Sequence, residues 1–360
     1  HPKFIQSFQE AKTRGFTQVQ IATNGVAFAR NPQLAVQASE AGLNAAYLQF
    51  DGLSDQVYQE TRGQHLLALK LDAINHLYQA NIRTILVPTI VKGVNDDQIG
   101  PILDFAVKYT DRIAGISWQP VAFTGRLNYQ QRLKQRFTIA DLAREVEKQT
   151  QTAQMYRDWY PFDFIDPFVR FLEGVQKKPS AKMNCHPSCG AGTYLIVDST
   201  THKAWPVPSF VDVDGLMEVL ALGADRLIKP GLFKKLGLVQ KLRHLEKFYD
   251  SDAAPTGWSF EQFVDFMIDF ADFRNRYKDN ISRVTKNCER RYRPLLMASM
   301  HFQDVYNYQL DRLQRCVVHY AAADGRIYPF CSYNSGPCHR NRVEQQFALS
   351  LQQCRASEPI

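Results

Sequence analysis

The sequence predicts an α/β chain. An incomplete barrel of strand–helix units over residues 1–150 is followed by an α+β cysteine-containing domain over 151–345 and a tail over 346–360. Three observations carry that prediction. Apolar runs alternate four times with amphipathic stretches in the first half, the pattern of a parallel sheet with helical crossovers. Polar residues gather where each of those runs ends. All seven cysteines fall in the second half, where the alternation stops.

Thr17-Gln18-Val19-Gln20-Ile21-Ala22 alternates ahead of Thr23-Asn24-Gly25 and reads as a first strand with its turn. A helix follows over 32–41. Ala45 to Phe50 is the second strand, closed by Asp51-Gly52. Over 64–80, Leu67, Leu71, Ile74 and Tyr78 recur at helical spacing and predict a stripe laid against the sheet. The branched run Ile82 to Val91 is the third strand, with Pro88 marking an irregular or edge position. Asn95 with Gln98 three residues on resembles a capping box for a helix to Tyr109. The fourth strand is Ile113 to Pro120, with Phe123-Thr124-Gly125-Arg126 beyond it and a further helix over 137–150.

The strand ends collect Thr23 and Asn24, Gln49 and Asp51, Thr89 and Lys92, Gln119 and Thr124. In a β/α barrel such ends converge on one active face. An open doubly wound sheet has the same alternation, but no glycine-rich nucleotide fingerprint follows any of these strands. Four strands do not close a barrel, so the others lie elsewhere in the chain or are absent.

In the second half, the aromatic and proline-rich stretch 159–168 reads as a compact connection packed on the preceding domain. Tyr194 to Asp198 predicts a short strand, and a helix is expected near 212–223. Phe263, Phe266, Met267, Phe270 and Phe273 form an apolar helical face suited to a core. A basic run from Arg274 to Arg293 reads first as a solvated face, and as a contact for an anion second.

The cysteines are more specific. Cys185-His186-Pro187-Ser188-Cys189-Gly190 sets two thiols four positions apart in a turn. Cys316 and Cys331 flank a segment in which Asp324-Gly325 predicts a hairpin that brings the two thiols together. Cys185, Cys189 and Cys331 are the strongest ligands and Cys316 the fourth, with Cys338 competing for that place. Four thiolates suit either a tetrahedral zinc ion or a cubane iron–sulfur cluster. His186 and His319 read as loop-orienting groups rather than ligands.

Composition sets the outer bounds. The chain has 360 residues, 45% hydrophobic and 22% charged, with a net charge of +7. That balance favours anions without pointing to a specific nucleic acid. No apolar stretch approaches the roughly 20 residues of a bilayer span. The start His1-Pro2-Lys3-Phe4 lacks both a methionine and a secretory pattern. An odd, sparse cysteine set predicts reduced thiols and a cytoplasmic location rather than a disulfide scaffold.

Several strings taken jointly resemble the radical S-adenosylmethionine (SAM) superfamily. They are Thr23-Asn24-Gly25, Tyr47-Leu48-Gln49-Phe50-Asp51-Gly52, Arg62-Gly63, Val87 through Asp96 and Gln119 through Arg126. The cysteine strings at 185–190 and 329–334 are similar to the archaeal tetraether lipid synthase group and its bacterial relatives. The resemblance implies a partial (β/α)6 barrel with a [4Fe–4S] cluster on a CxxxCxxC loop after its first strand, and a GGEP-like SAM segment after its second. Neither motif occurs in this sequence. The resemblance therefore aligns the four strands with strands three to six, preceded by an N-terminal truncation, and the fragment is expected to be inactive alone. Natural loss in a noncatalytic relative is the other explanation.

By the same resemblance, Asn24 and Gln49 contact SAM or position its ribose, and Asp51 is a further polar group on that face. Thr89 and Gln119 line the adenosyl or substrate region. Cys185, Cys189, Cys316 and Cys331 hold an auxiliary [4Fe–4S] cluster. The implied activity of the full-length protein is radical chemistry at an unactivated C–H bond in lipid or cofactor modification. The alternatives are a radical SAM methyltransferase acting on a pterin-like small molecule, and a noncatalytic metal-stabilised scaffold. The expected partners are a small-molecule or lipid substrate, a reductant such as ferredoxin or flavodoxin, and a peripheral membrane contact.

Overall fold

The computed structural model describes residues 3–16, 18–124, 129–176, 184–227, 243–264, 291–335 and 339–350. Gly125, Arg126, Phe266 through Phe273, the basic residues 274–290, and Cys288, Cys338 and Cys354 lie outside the described residues.

The first half forms the expected parallel strands: β1 (Gln20–Thr23), β2 (Ala45–Gln49), β3 (Arg83–Val87) and β5 (Ile113–Pro120) pair in that order. Pro88 ends β3, because proline has no N–H for the ladder. The chain resumes as β4 (Thr89–Ile90), which pairs with the far end of β5. Helices α1 (Phe4–Thr13), α2 (Val26–Arg30), α3 (Pro32–Glu40), α4 (Asp55–Arg62), α5 (Leu67–Gln79), α6 (Ile99–Lys108), α7 (Tyr129–Gln135) and α8 (Ile139–Thr150) lie before, between or after these strands, and α9 (Asp166–Gln176) and α10 (Val213–Leu227) follow in the second half. Local chemistry fixes their starts. Asn31 accepts from Leu34 N at 3.3 Å ahead of Pro32, and Thr138 with Asp141 forms a capping box at α8.

Two sequence expectations need correction here. The buried residues of α5 are Lys70, Ala73, Ile74 and Leu77, whereas Leu67, Leu71 and Tyr78 are only partly covered. The helix is thus rotated from the stripe that its leucines suggest, so that a lysine points inward. Asn95 does not cap a helix either. Its side chain accepts from Val91 N at 2.8 Å and donates to the carbonyls of Asp51 and Thr89, each at 2.9 Å. Gln98, the other half of the expected box, accepts from Leu53 N at 3.1 Å. Both side chains tie strand-end loops together instead.

The sheet does not stop at residue 150. Strand β9 (Tyr292–Met300) pairs in parallel with β5, so one further parallel strand comes from the second half. β7 (Gly190–Asp198) then pairs antiparallel with β9 over its full length, Gly190 opposite Met300 and Asp198 opposite Tyr292. β8 (Ala204–Pro206) and β6 (Tyr160–Pro161) both pair with β7. Among the described residues the order is β1-β2-β3-β5-β9-β7-β6, an open sheet with β1 and β6 at its two ends. A separate hairpin, β10 (His319–Ala321) with β11 (Ile327–Pro329), forms around Asp324-Gly325 as the turn chemistry predicts.

Two cores flank this sheet. The larger holds Phe28, Leu48, Leu77, Leu86, Ile116, Trp118, Leu142 and Val146 together with Leu195, Val197, Leu295 and Met297. The smaller holds Ile196 with Phe210, Leu216, Leu220, Trp258 and Phe263. Leu195 and Val197 enter one core and Ile196 the other, since successive side chains of a strand face opposite ways. Of the predicted 159–168 segment, Trp159 packs on the larger core, while Phe164 and Phe168 join the smaller.

Candidate functional site

The carboxyl ends of β1, β2, β3 and β5 lie along one edge of the sheet, as parallel pairing requires. Asp51 is fully buried there, just past β2. Its carboxylate accepts from Arg62 Nε at 2.7 Å, from Thr89 N at 3.0 Å, and from the Gln49 amide. Lys70, also fully buried, reaches up from α5 and donates to the Asn24 carbonyl at 2.5 Å and to Gln49 Oε1 at 2.8 Å. One hydrogen-bonded chain thus joins the ends of three strands. Burial pushes the Lys70 ammonium down to about 8; the Asp51 charge opposes that shift and Arg62 adds to it.

This geometry sorts the predicted residues. Asn24, Gln49, Asp51 and Thr89 come together, and Gln119 joins them as the register partner of Thr89. Asp51 and Gln49 already use their polar atoms on protein partners. The Asn24 side chain accepts from Val26 N at 3.1 Å yet stays exposed, and the side chains of Thr89 and Gln119 are partly exposed. Gly25, at φ 81°, makes the turn after Asn24; a Cβ there would sit 2.5 Å from Leu48 Cδ1. Sequence reasoning missed Lys70. The available signal was a lysine in phase with Ala73, Ile74 and Leu77, where an unpaired charge is rarely tolerated.

The thiols lie at the same edge, farther along the sheet. Cys189 immediately precedes β7, whose first residue pairs with the last of β9, so the 185–189 loop sits beside the carboxyl end of the parallel strands. Cys185 donates to Cys189, which raises the proton affinity of the Cys185 thiol and lowers that of Cys189. Arg312, on α11 (Leu310–Gln314), approaches Cys189 Sγ with its Nε at 3.5 Å. Gln303 N donates to Cys331 Sγ at 3.3 Å, and Cys331 feels the charge of Arg312, Cys316 and Cys189. Phe330 N donates to Val318 O at 2.9 Å, drawing the chain after Cys316 against Cys331. The four predicted cysteines therefore lie in one neighbourhood, with Cys316 Sγ itself donating to Val318 O at 3.0 Å. Among the described residues, no three Cys, His, Asp or Glu side chains converge closely enough to hold a single metal ion.

A buried ion pair joins the two regions. Asp304 accepts from Arg136 Nη1 at 2.8 Å and from Phe123 N at 2.9 Å, linking the loop after β9 to the loop after β5. Burial, reinforced by Arg312 and Arg136, pushes the neighbouring His301 down to about 4. Its ring is thus neutral near pH 7. His186 Nδ1 accepts from Ser188 N at 3.2 Å, the loop-shaping contact expected of it.

Comparison with known proteins agrees with the edge just described. The model of the radical SAM superfamily matches residues 1–106, which carry the Asp51–Lys70 network. A 7,8-dihydro-6-hydroxymethylpterin dimethyltransferase of Methanocaldococcus jannaschii is 34% identical over 351 residues, covering 97% of this chain and 67% of that protein. By its name that relative methylates a pterin; it is not a tetraether lipid synthase. On the parallel strand ends, their polar network and this extended similarity, the chain belongs to the radical SAM superfamily.

Proposed function

We propose that this chain forms the substrate-binding and electron-transfer portion of a radical SAM methyltransferase acting on a reduced pterin-like small molecule. The observation that carries the reading is the similarity to a pterin dimethyltransferase along 97% of the chain. It favours the pterin alternative over lipid modification, which no relative reported above supports. Membership in the superfamily implies SAM and a [4Fe–4S] cluster as cofactors, with a small reductant protein such as ferredoxin or flavodoxin as electron donor. The residues here do not fit the radical-initiating cluster, because no cysteine precedes Cys185.

An auxiliary [4Fe–4S] cluster does fit the second set of thiols. A zinc ion at about 2.3 Å from each sulfur would draw its ligands into tight mutual contact. Cys185 and Cys189 are in direct contact, yet among the described residues no three such side chains converge on one ion. Cys331 feels the charges of Cys189 and Cys316 from farther off, the wider grouping that the corners of a cubane need. When bound, such a cluster supplies electrons one at a time. The protein's own work is positional. Asp51 and Lys70 hold the ends of β1, β2 and β3 in fixed register, and Asn24, Thr89 and Gln119 present side chains to SAM and substrate.

Anaerobic reconstitution with iron and sulfide tests the cluster, with iron and acid-labile sulfide expected in the folded chain; zinc alone would remove it. Calorimetric titration with 7,8-dihydro-6-hydroxymethylpterin tests the substrate. Saturable binding, weakened in Gln119→Ala and Thr89→Ala, is the expected result. Binding of isoprenoid glycerol ethers in its place would overturn the pterin assignment.

A further inference from the structure

We propose that Arg312 is a positioning residue that raises the reduction potential of the cluster held by the four cysteines; this rests on the auxiliary-cluster reading given above. Arg312 is only 5% exposed. A cation taken that far from water is strongly disfavoured unless something of opposite charge faces it. Its guanidinium donates to Cys189 Sγ at 3.5 Å and to the His301 carbonyl at 2.5 Å, and neither acceptor is a carboxylate. Cys331 and His301 also feel its charge. Of its two hydrogen-bond acceptors, the one able to carry the opposite charge is the Cys189 sulfur.

The arrangement is held from both sides. Arg315, one turn along and just past α11, donates to the Cys185 carbonyl at 3.4 Å and to Asp163 at 3.2 Å. His301 N donates to the Cys189 carbonyl at 2.9 Å. Arg312 thus reaches the sulfur from a helix pinned to the same loop, so its fork is set before any cluster is loaded. A cubane with four thiolate ligands carries net negative charge, and one-electron reduction adds another. A fixed cation and an N–H donated to a ligand sulfur stabilise the more negative state, which raises the potential. The electron enters the cluster from an external reductant, and no proton moves with it.

The test uses the full chain, reconstituted anaerobically with iron and sulfide and titrated with dithionite under electron paramagnetic resonance. Arg312→Gln is expected to shift the one-electron equilibrium about tenfold toward the oxidised form, a midpoint lower by 59 mV. Arg312→Lys, which keeps charge but loses the fork, is expected to fall between. Wild-type protein labelled with 15N-arginine is expected to show a nitrogen hyperfine coupling to the reduced cluster. Unchanged midpoints in both variants would overturn the role of Arg312 and leave the cluster standing. Should the variants fail to load, absence of the arginine coupling in wild type would overturn it equally. Uptake of zinc without iron by the wild type would remove both readings together.

Discussion

Asp51 and Lys70 carry opposite charges, both lie fully buried, and they are joined through Gln49 rather than by direct contact. Removing either would leave the remaining charges uncompensated away from water, the costly half of any buried pair. Lys70 allows a cleaner experiment because its shift has a direction. Its folded value is pushed from 10.5 to about 8, so between those pH values the unfolded chain binds more protons than the folded one. Stability contributed at this position therefore rises with pH across that window. Each pKa unit corresponds to about 1.4 kcal/mol. Chemical denaturation of the wild type and of Lys70→Met at pH 7.5–10.5 is expected to show the gap shifting in favour of the wild type by a few kcal/mol as pH rises; a constant gap would contradict the assignment.

At the level of elements, the join between β7 and β9 decides where the thiols stand. Gly190 opens β7 directly after Cys189, and a Cβ there would lie 2.2 Å from the Phe162 ring and 2.7 Å from Ser299 O. Gly190→Ala must push the strand off its neighbour or displace the ring, an overpacking that costs about 1–3 kcal/mol. The expected outcome is a lowered melting temperature with reduced iron per chain, measured after identical reconstitution. The four early strands were legible because branched runs and turn residues mark them locally, and β5 spans Ile113–Pro120 as its sequence indicates. The inward face of α5 was not, since its leucines outvote Lys70 when periodicity alone is counted. Asn95 was misread because a side chain bridging Val91, Asp51 and Thr89 has the same local spacing as a helix cap. The neighbourhood of the four cysteines was legible from loops and hairpin chemistry, but Arg312 leaves no mark in sequence, being defined by a contact 123 positions away.

Across the whole molecule, stability is expected to be graded along the sheet. β3, β5 and β9 each have neighbours on both sides, while β1 pairs only with β2 among the described residues. Native-state hydrogen exchange should show the slowest amides in β5 and β9 and faster exchange in β1; uniform protection would argue for a further element covering β1. No helix among the described residues is long and apolar enough to cross a membrane.

β9 is wedged between β5 and β7, although about 170 residues of chain separate it from β5. On the ribosome, β5 and β7 both emerge well before their common partner exists. Until residue 300 has left the exit tunnel, each has one bare margin, and the nascent polypeptide must wait in a half-assembled state. Such long-range closure is slow and leaves strands open to wrong pairing in the meantime. Chaperone demand during synthesis should therefore peak over that interval and fall once Met300 is delivered.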